Sequence, residues 1–286
     1  MRSGVVGLLP GELVEVTPAA ARRVREHGFT GMTVMLGHPG SHPRAVLREG
    51  SETLAGEGIA VAQANGTYPS LIHPDPEARV RAVEGLKHHV QAAGVLAAET
   101  LYIRPGSLNP AGPWYPHPEH HGEAVFERAV SSIAAVAAVA EAEGVVLAVE
   151  GHVLSVFDRP ERLEALLDQI PVDSLSINLD PVNFVGSIWD AWNPDGLYDR
   201  LLSAVGARTK VAHWKDYRVE DKHVLHITEV PIGDGVIDHA AWLAALSAVS
   251  PDAWVLIEHL PPSRIPAAKM MLDRAMEAAG LSWDIS

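Results

Sequence analysis

Four short stretches of the chain end in side chains that can hold a cation or move a proton. VLAVEGH, Val146 to His152, runs four apolar residues into Glu150 and then His152. SLSINLDPVNF closes its aliphatic run on Asp180 and places Asn183 three residues on. VAHWKDYR carries His213 and Lys215, and AWVLIEHL closes on Glu258. A carboxylate at the end of a doubly buried run is costly unless it is paired or holds a metal. Glu150, Asp180, His213 and Glu258 follow one another at separations of 30, 33 and 45 residues. The first two separations match one strand–helix unit each, and the third leaves room for an inserted loop.

The elements that must position these groups read as a strict alternation. Strands are predicted at Gly4–Leu9, Gly31–Leu36, Gly58–Asn65 and Thr100–Gly106, then in VVLAVE, SLSINLD, TKVAHW and AWVLIEH. Amphipathic helices fall between them, at about 18–27, 43–55, 76–93, 123–143, 159–169, 195–205, after Asp238, and at 265–279. Eight such units in 286 residues, with no Gly-rich phosphate fingerprint after the first strand, point to a (β/α)8 TIM barrel. The expected organisation is a single TIM-barrel domain over 1–286.

Composition narrows the function classes. The chain is 47% hydrophobic, has no cysteine and carries a formal net charge of −14. Disulfides and thiolate metal sites are excluded, and the charge disfavours a nucleic-acid partner. The N-terminal stretch does not read as a secretory signal, and no apolar run approaches the roughly 18 residues of a membrane span. The expectation is a cytoplasmic protein with no membrane partner.

In a barrel, chemistry sits where the strands end, so the four groups are expected to converge on one rim. Three acids that close repel one another, and a divalent cation resolves the conflict. Three oxygens and one nitrogen suit Mn²⁺ first, with Mg²⁺, Co²⁺ and Zn²⁺ as alternatives. Further rim candidates for substrate binding are Asn65, Arg104, His152, Asn183, Lys215 and Trp114. His152 reads equally as a partner orienting a carboxylate, and Lys215 as a partner of an acidic ligand. The loop SLNPAGPWYPHPEHH, Ser107 to His121, reads as a lid over the site with Trp114 stacking on a bound ligand, or as a surface loop at a subunit contact. Its histidines offer a remote second-metal reading. Trp189 and Trp192 read as packing residues, and Arg218 as a solvated one.

The chain from about Gly144 to Leu260 resembles the xylose isomerase-like barrel superfamily of sugar phosphate isomerases and epimerases. EGH is similar to that family's Glu-x-His, HWKDYR to its His-x-Lys-Asp, and GDGVID, Gly233 to Asp238, to its Gly-x-Gly turn and helix cap. The resemblance implies one divalent metal on Glu150, Asp180, His213 and Glu258, and a homo-oligomer, dimer or tetramer. Glu150 and Glu258 would flank a sugar or ketosugar as acid and base, and a metal-stabilised enediolate would give isomerisation or epimerisation. Expulsion of a neighbouring hydroxyl, as in inosose dehydratase or in elimination from a keto-glycoside, is the alternative. Many relatives have Asp-x-x-His where this chain has Asp180-Pro-Val-Asn183. Asn183 cannot carry a proton as imidazole does, which sets the chain apart from close ketose 3-epimerases and from the endonuclease IV branch.

Overall fold

A computed structural model describes residues 1–10 and 12–285. Strands β1 (Arg2–Val5), β2 (Gly31–Gly37), β3 (Ala60–Gly66), β4 (Thr100–Ile103), β5 (Val146–Glu150), β6 (Leu175–Leu179) and β7 (Thr209–Trp214) pair in parallel. Two short strands follow, β8 (Asp216–Val219) and β9 (Ile227–Val230), before β10 (Trp254–Ile257) closes the cylinder. The barrel order is β1-β10-β7-β6-β5-β4-β3-β2, and Arg2↔Trp254 through Val5↔Ile257 form the closing seam. The predicted (β/α)8 architecture is therefore the observed one.

Several of the helices begin where side-chain chemistry supplies a cap. Thr17 accepts from Ala20 N ahead of α1 (Pro18–Glu26), and Asp75 accepts from Glu77 N ahead of α3 (Pro76–Val95). These bonds satisfy donors that a helix start leaves orphaned, and the proline at the first position has no N–H to lose. Helix α4 (Glu123–Glu143) ends on Gly144, whose φ of 67° is the left-handed stop that a side chain would resist. Helices α2 (Arg44–Gly56), α5 (Pro160–Gln169), α7 (Pro194–Val205), α8 (His239–Val249) and α9 (Ile265–Ala278) complete the outer layer. The short α6 (Ile188–Trp192) lies between β6 and α7. Among the described residues, no helix is long and apolar enough to cross a membrane.

The lower end of the barrel is plugged. Trp254 on β10 fills the space where Gly31 on β2 lacks a side chain, and a Cβ at Gly31 would overlap its ring. Trp254 Nε1 donates to Glu99 Oε2 (3.0 Å), Arg2 grips both Glu99 oxygens at 2.7 and 2.6 Å, and the Arg2 guanidinium lies 4.1 Å from the indole centroid. Ala62, Val211 and Leu256 pack with Trp254 to fill that end.

Three expectations need correction. The first strand is Arg2–Val5 rather than Gly4–Leu9, because Gly7, with φ 95°, turns the aliphatic run out of the sheet. The loop after β7 is folded into the antiparallel hairpin β8–β9, with Asp216 opposite Val230. Trp189 and Trp192 do not pack in the core: they stand 74% and 67% exposed on α6, edge to face with each other at 6.0 Å.

Candidate metal centre

Each of the four acidic and imidazole groups leaves the carboxyl-terminal end of a different strand. Glu150 closes β5, Asp180 follows β6, His213 lies in β7 and Glu258 follows β10. Those strands are hydrogen-bonded neighbours in the order β5, β6, β7, β10, so the hairpin separates the last two in sequence but not in space. The donor atoms of Glu150, Asp180, His213 and Glu258 lie within 4.8 Å of one another, and all four residues are buried.

The electrostatics of this group are unresolved from within. His213 Nδ1 stands 2.9 Å from Glu150 Oε1 and 3.0 Å from Glu258 Oε2, yet it has no aligned hydrogen-bond partner. Lys215 Nζ approaches Asp180 Oδ2 and Glu258 Oε1 at 2.6 Å each, and Asp180 Oδ2 likewise lacks an aligned hydrogen bond. Burial pushes the Asp180 pKa up, to about 6, with Glu150 and Glu258 adding to the rise against the opposing pull of Lys215. Burial would pull His213 down, but Glu258 and Glu150 outweigh it and raise the imidazole to about 10. Glu258, despite its burial, is held low by His213 and Lys215. With the imidazole neutral, as a metal ligand must be, three carboxylates against one ammonium leave two negative charges uncompensated. One divalent cation cancels them, and a buried O₃N donor set with open lone pairs suits such an ion. The residues present therefore fit the predicted metal.

The same mouth opens into a cavity of about 500 Å³ lined by Asn65, Arg104, Trp114, Glu150, His152, Asn183, His213, Lys215 and Glu258. Asp180 is sealed beneath it behind Lys215. The structure thus brings together the four candidate metal ligands and the six rim candidates Asn65, Arg104, Trp114, His152, Asn183 and Lys215. Arg104 is held by Gly66 O (3.1 Å) and lies over Tyr68 at 4.6 Å, which fixes its direction. His152 accepts from Leu154 N through Nδ1 (3.1 Å), so its neutral form carries the proton on Nε2, and burial lowers its pKa. Its ring is 5.7 Å from that of Trp114. Asn183 Oδ1 lies 3.5 Å from Lys215 Nζ.

The loop histidines do not form a second centre. His120 is buried as a bracket: Nε2 accepts from Leu108 N (3.0 Å) and Nδ1 faces Leu154 O (2.7 Å). His121 pairs with Asp158, and His117 caps the turn that follows it. These bonds seat the loop so that Pro113 and Trp114 form one wall of the cavity.

Sequence reading missed several polar residues of the site. Tyr102 donates to Glu150 Oε2 (2.6 Å); burial, then Glu150, raises its pKa and keeps the hydroxyl protonated. Gln63 and Asn178 sit below, in the barrel interior. The signal was present: TLYIRPG, GIAVAQAN and SLSINLD each interrupt a buried aliphatic run with a polar residue, and such a residue must find partners. Glu229 and His259 also line the cavity and lie 3.1 Å apart, with the His259 backbone in the left-handed region at φ 57°.

Comparison with known proteins agrees with this architecture. No curated protein sequence matches the chain. A Mycobacterium smegmatis xylose isomerase-like TIM barrel protein in complex with magnesium superposes with TM-score 0.73 at 16% identity, covering 97% of this chain and 96% of that one. A D-tagatose 3-epimerase-like protein superposes with TM-score 0.75 at 18% identity, covering 98% of each chain. The IOLI protein with a bound zinc atom superposes with TM-score 0.70 at 17% identity, again covering 98% of each. At these identities the likeness speaks for the fold. A family model described as xylose isomerase-like TIM barrel matches residues 21–276. The chain belongs to the xylose isomerase-like TIM barrel family.

Proposed function

We propose that the protein is a divalent-metal-dependent isomerase or epimerase acting on a sugar or ketosugar. One observation carries the reading: Asp180 Oδ2 and His213 Nδ1 are buried without hydrogen-bond partners inside a group of four donors at the floor of a cavity. Glu150, Asp180, His213 and Glu258 would hold the ion, with Mn²⁺, Mg²⁺, Co²⁺ and Zn²⁺ as candidates. When bound, the ion supplies Lewis-acid polarisation of a carbonyl, worth several kcal/mol. Magnesium and zinc in two of the structural neighbours support a divalent ion, and the epimerase-like neighbour supports the substrate class.

The chain's own groups perform the proton transfer. Glu150 and Glu258 come from strands separated by β6 and β7, so they present carboxylates from two sides of the floor. Either removes a proton beside the carbonyl through an oxygen lone pair turned to the substrate, and the other returns it on the opposite face. Tyr102 holds Glu150 in place, and Lys215 holds Glu258. Asn65, Asn183, Arg104 and His152 supply hydrogen bonds to hydroxyls, and Trp114 covers the apolar face of the sugar ring. Few cationic groups face the cavity, which favours an unphosphorylated substrate.

Elimination of a neighbouring hydroxyl begins with the same proton removal. The extra imidazole at His259, beside Glu258 on the cavity wall, favours keeping it as a second reading, since it can protonate a departing hydroxyl. Incubation of the Mn²⁺-loaded protein with a panel of ketoses in D₂O tests both. Deuterium beside the carbonyl with retained mass balance supports epimerisation or isomerisation, and a new enone absorbance supports elimination. No exchange with any ketose, while the metal stays bound, overturns the enolising mechanism.

A further inference from the structure

Beneath the four donors lies a chain of uncharged amides that connects two of them. Glu150 Oε1 accepts from Asn178 Nδ2 at 2.8 Å. Asn178 Oδ1 accepts from Gln63 Nε2 at 3.0 Å, and Gln63 Oε1 lies 3.3 Å from His213 Nε2. Gln63 is 0% and Asn178 1% exposed, so these bonds are made away from bulk solvent.

The polarity of this chain is forced from one end. A carboxylate only accepts, so Asn178 must turn its NH₂ to Glu150. Its carbonyl then faces Gln63, which must answer with its own NH₂. The Gln63 carbonyl is left facing His213 Nε2, and that nitrogen must carry a hydrogen. Reversal of either amide would set two acceptors against each other in a buried site, at a cost of about 1–3 kcal/mol. With the hydrogen on Nε2, neutral His213 turns the lone pair of Nδ1 toward the point where Glu150 Oε1 and Glu258 Oε2 converge, 2.9 and 3.0 Å away.

We propose that Gln63 is a positioning residue that, through Asn178, uses the negative charge of Glu150 to select the His213 tautomer able to offer Nδ1 to the cation. The inference rests on the metal reading given above. It makes the β5 and β7 donors interdependent, although they do not share a hydrogen bond: a disturbance of either amide reaches both. Partners that fix the tautomer of a ligating imidazole typically contribute 10–100-fold to metal affinity.

Zn²⁺, being diamagnetic, is the probe. Affinity is measured by competition with a chelating dye, with Asp180→Asn as the control that removes the site, and ¹⁵N spectra of labelled histidine report which His213 nitrogen is protonated. The Zn²⁺-loaded wild type is expected to show a hydrogen on Nε2 and none on Nδ1. Gln63→Met, close in length and without polar atoms, is expected to bind Zn²⁺ 10–100-fold more weakly and to lose that signature. Gln63→Glu retains an acceptor opposite His213 but sets its other oxygen against Asn178 Oδ1, so the Nε2–H signature is expected to return while stability falls. Equal affinity of wild type and Gln63→Met within twofold, or a Zn²⁺-loaded wild-type His213 protonated on Nδ1, overturns the inference alone. Failure of the wild type to bind Zn²⁺ above the Asp180→Asn control overturns the metal reading beneath it. Should Gln63→Met not fold, judged by circular dichroism, the wild-type and Gln63→Glu spectra decide.

Discussion

Asp180 and Asp216 are both fully buried aspartates at the mouth end of the barrel, and their surroundings are opposite. Asp216 accepts from the backbone N–H groups of Tyr217 (2.8 Å), Gly233 (3.1 Å), Gly235 (3.0 Å), Val236 (3.1 Å) and Ile237 (3.3 Å). His239 Nε2 adds a sixth contact at 3.1 Å, its other nitrogen accepting from Trp214 Nε1. Asp180 has a lysine beside one oxygen, without hydrogen-bond alignment, and a long 3.4 Å bond from Asn183 N at the other. The saturated carboxylate shapes a loop, and the unsaturated one is open to chemistry. Their pKa values follow suit: burial would raise Asp216, but His239 and the backbone donors hold it low, whereas Asp180 rises.

The largest expected effect separates the two by function. Asp180→Asn should lower turnover of a responsive ketose by about 10³-fold or more, the rate equivalent of several kcal/mol of lost metal assistance. Its thermal midpoint should stay within a few degrees of wild type. Steady-state kinetics with calorimetry on the same sample checks both, and a melting point that falls with the activity would merge the two aspartates into one structural class.

Asp216→Ala should invert that pattern. Orphaning five backbone donors and an imidazole should cost about 3–5 kcal/mol of stability, read from urea unfolding. A smaller loss of about 1–3 kcal/mol is expected from Gly235→Ala, whose Cβ would overlap the Asp216 carboxylate and the Tyr217 carbonyl. Zn²⁺ affinity of any folded Gly235→Ala protein should match wild type within a few-fold.

The smallest effect is on pH dependence. Because the folded pKa of Asp216 is lowered, its contribution is fully present above the unfolded value near 3.8 and is lost as pH falls through the folded one. The stability gap between wild type and Asp216→Asn should therefore narrow on acidification below about pH 4. A gap that widens there would mean that Asp216 is not the group held low.

The sequence shows the first of these aspartates more readily than the second. Asp180 ends a buried strand in which Leu175, Ile177 and Leu179 alternate with polar residues, and a period of one strand–helix unit links it to Glu150 and His213. Asp216 was visible only as part of HWKDYR, because its partners are backbone atoms some twenty residues away and leave no side-chain pattern. GDGVID read correctly as a turn and cap, and Asp238 does cap α8 through Ala241 N. The reason for Gly235, room for the Asp216 carboxylate, needed three dimensions. The hairpin escaped notice since its strands are four residues each and only half-buried on β9. The exposed Trp189 and Trp192 escaped because apolar type alone does not say which way a residue faces.

The closing seam between β1 and β10 has a consequence for biosynthesis. Glu258 follows β10, whose partners are β7 on one edge and the first residues of the chain on the other. A nascent polypeptide that has emerged from the ribosome only through β7 owns three donors and a gap where the fourth belongs. On the proposed reading, tight capture of a divalent ion thus awaits the last stave.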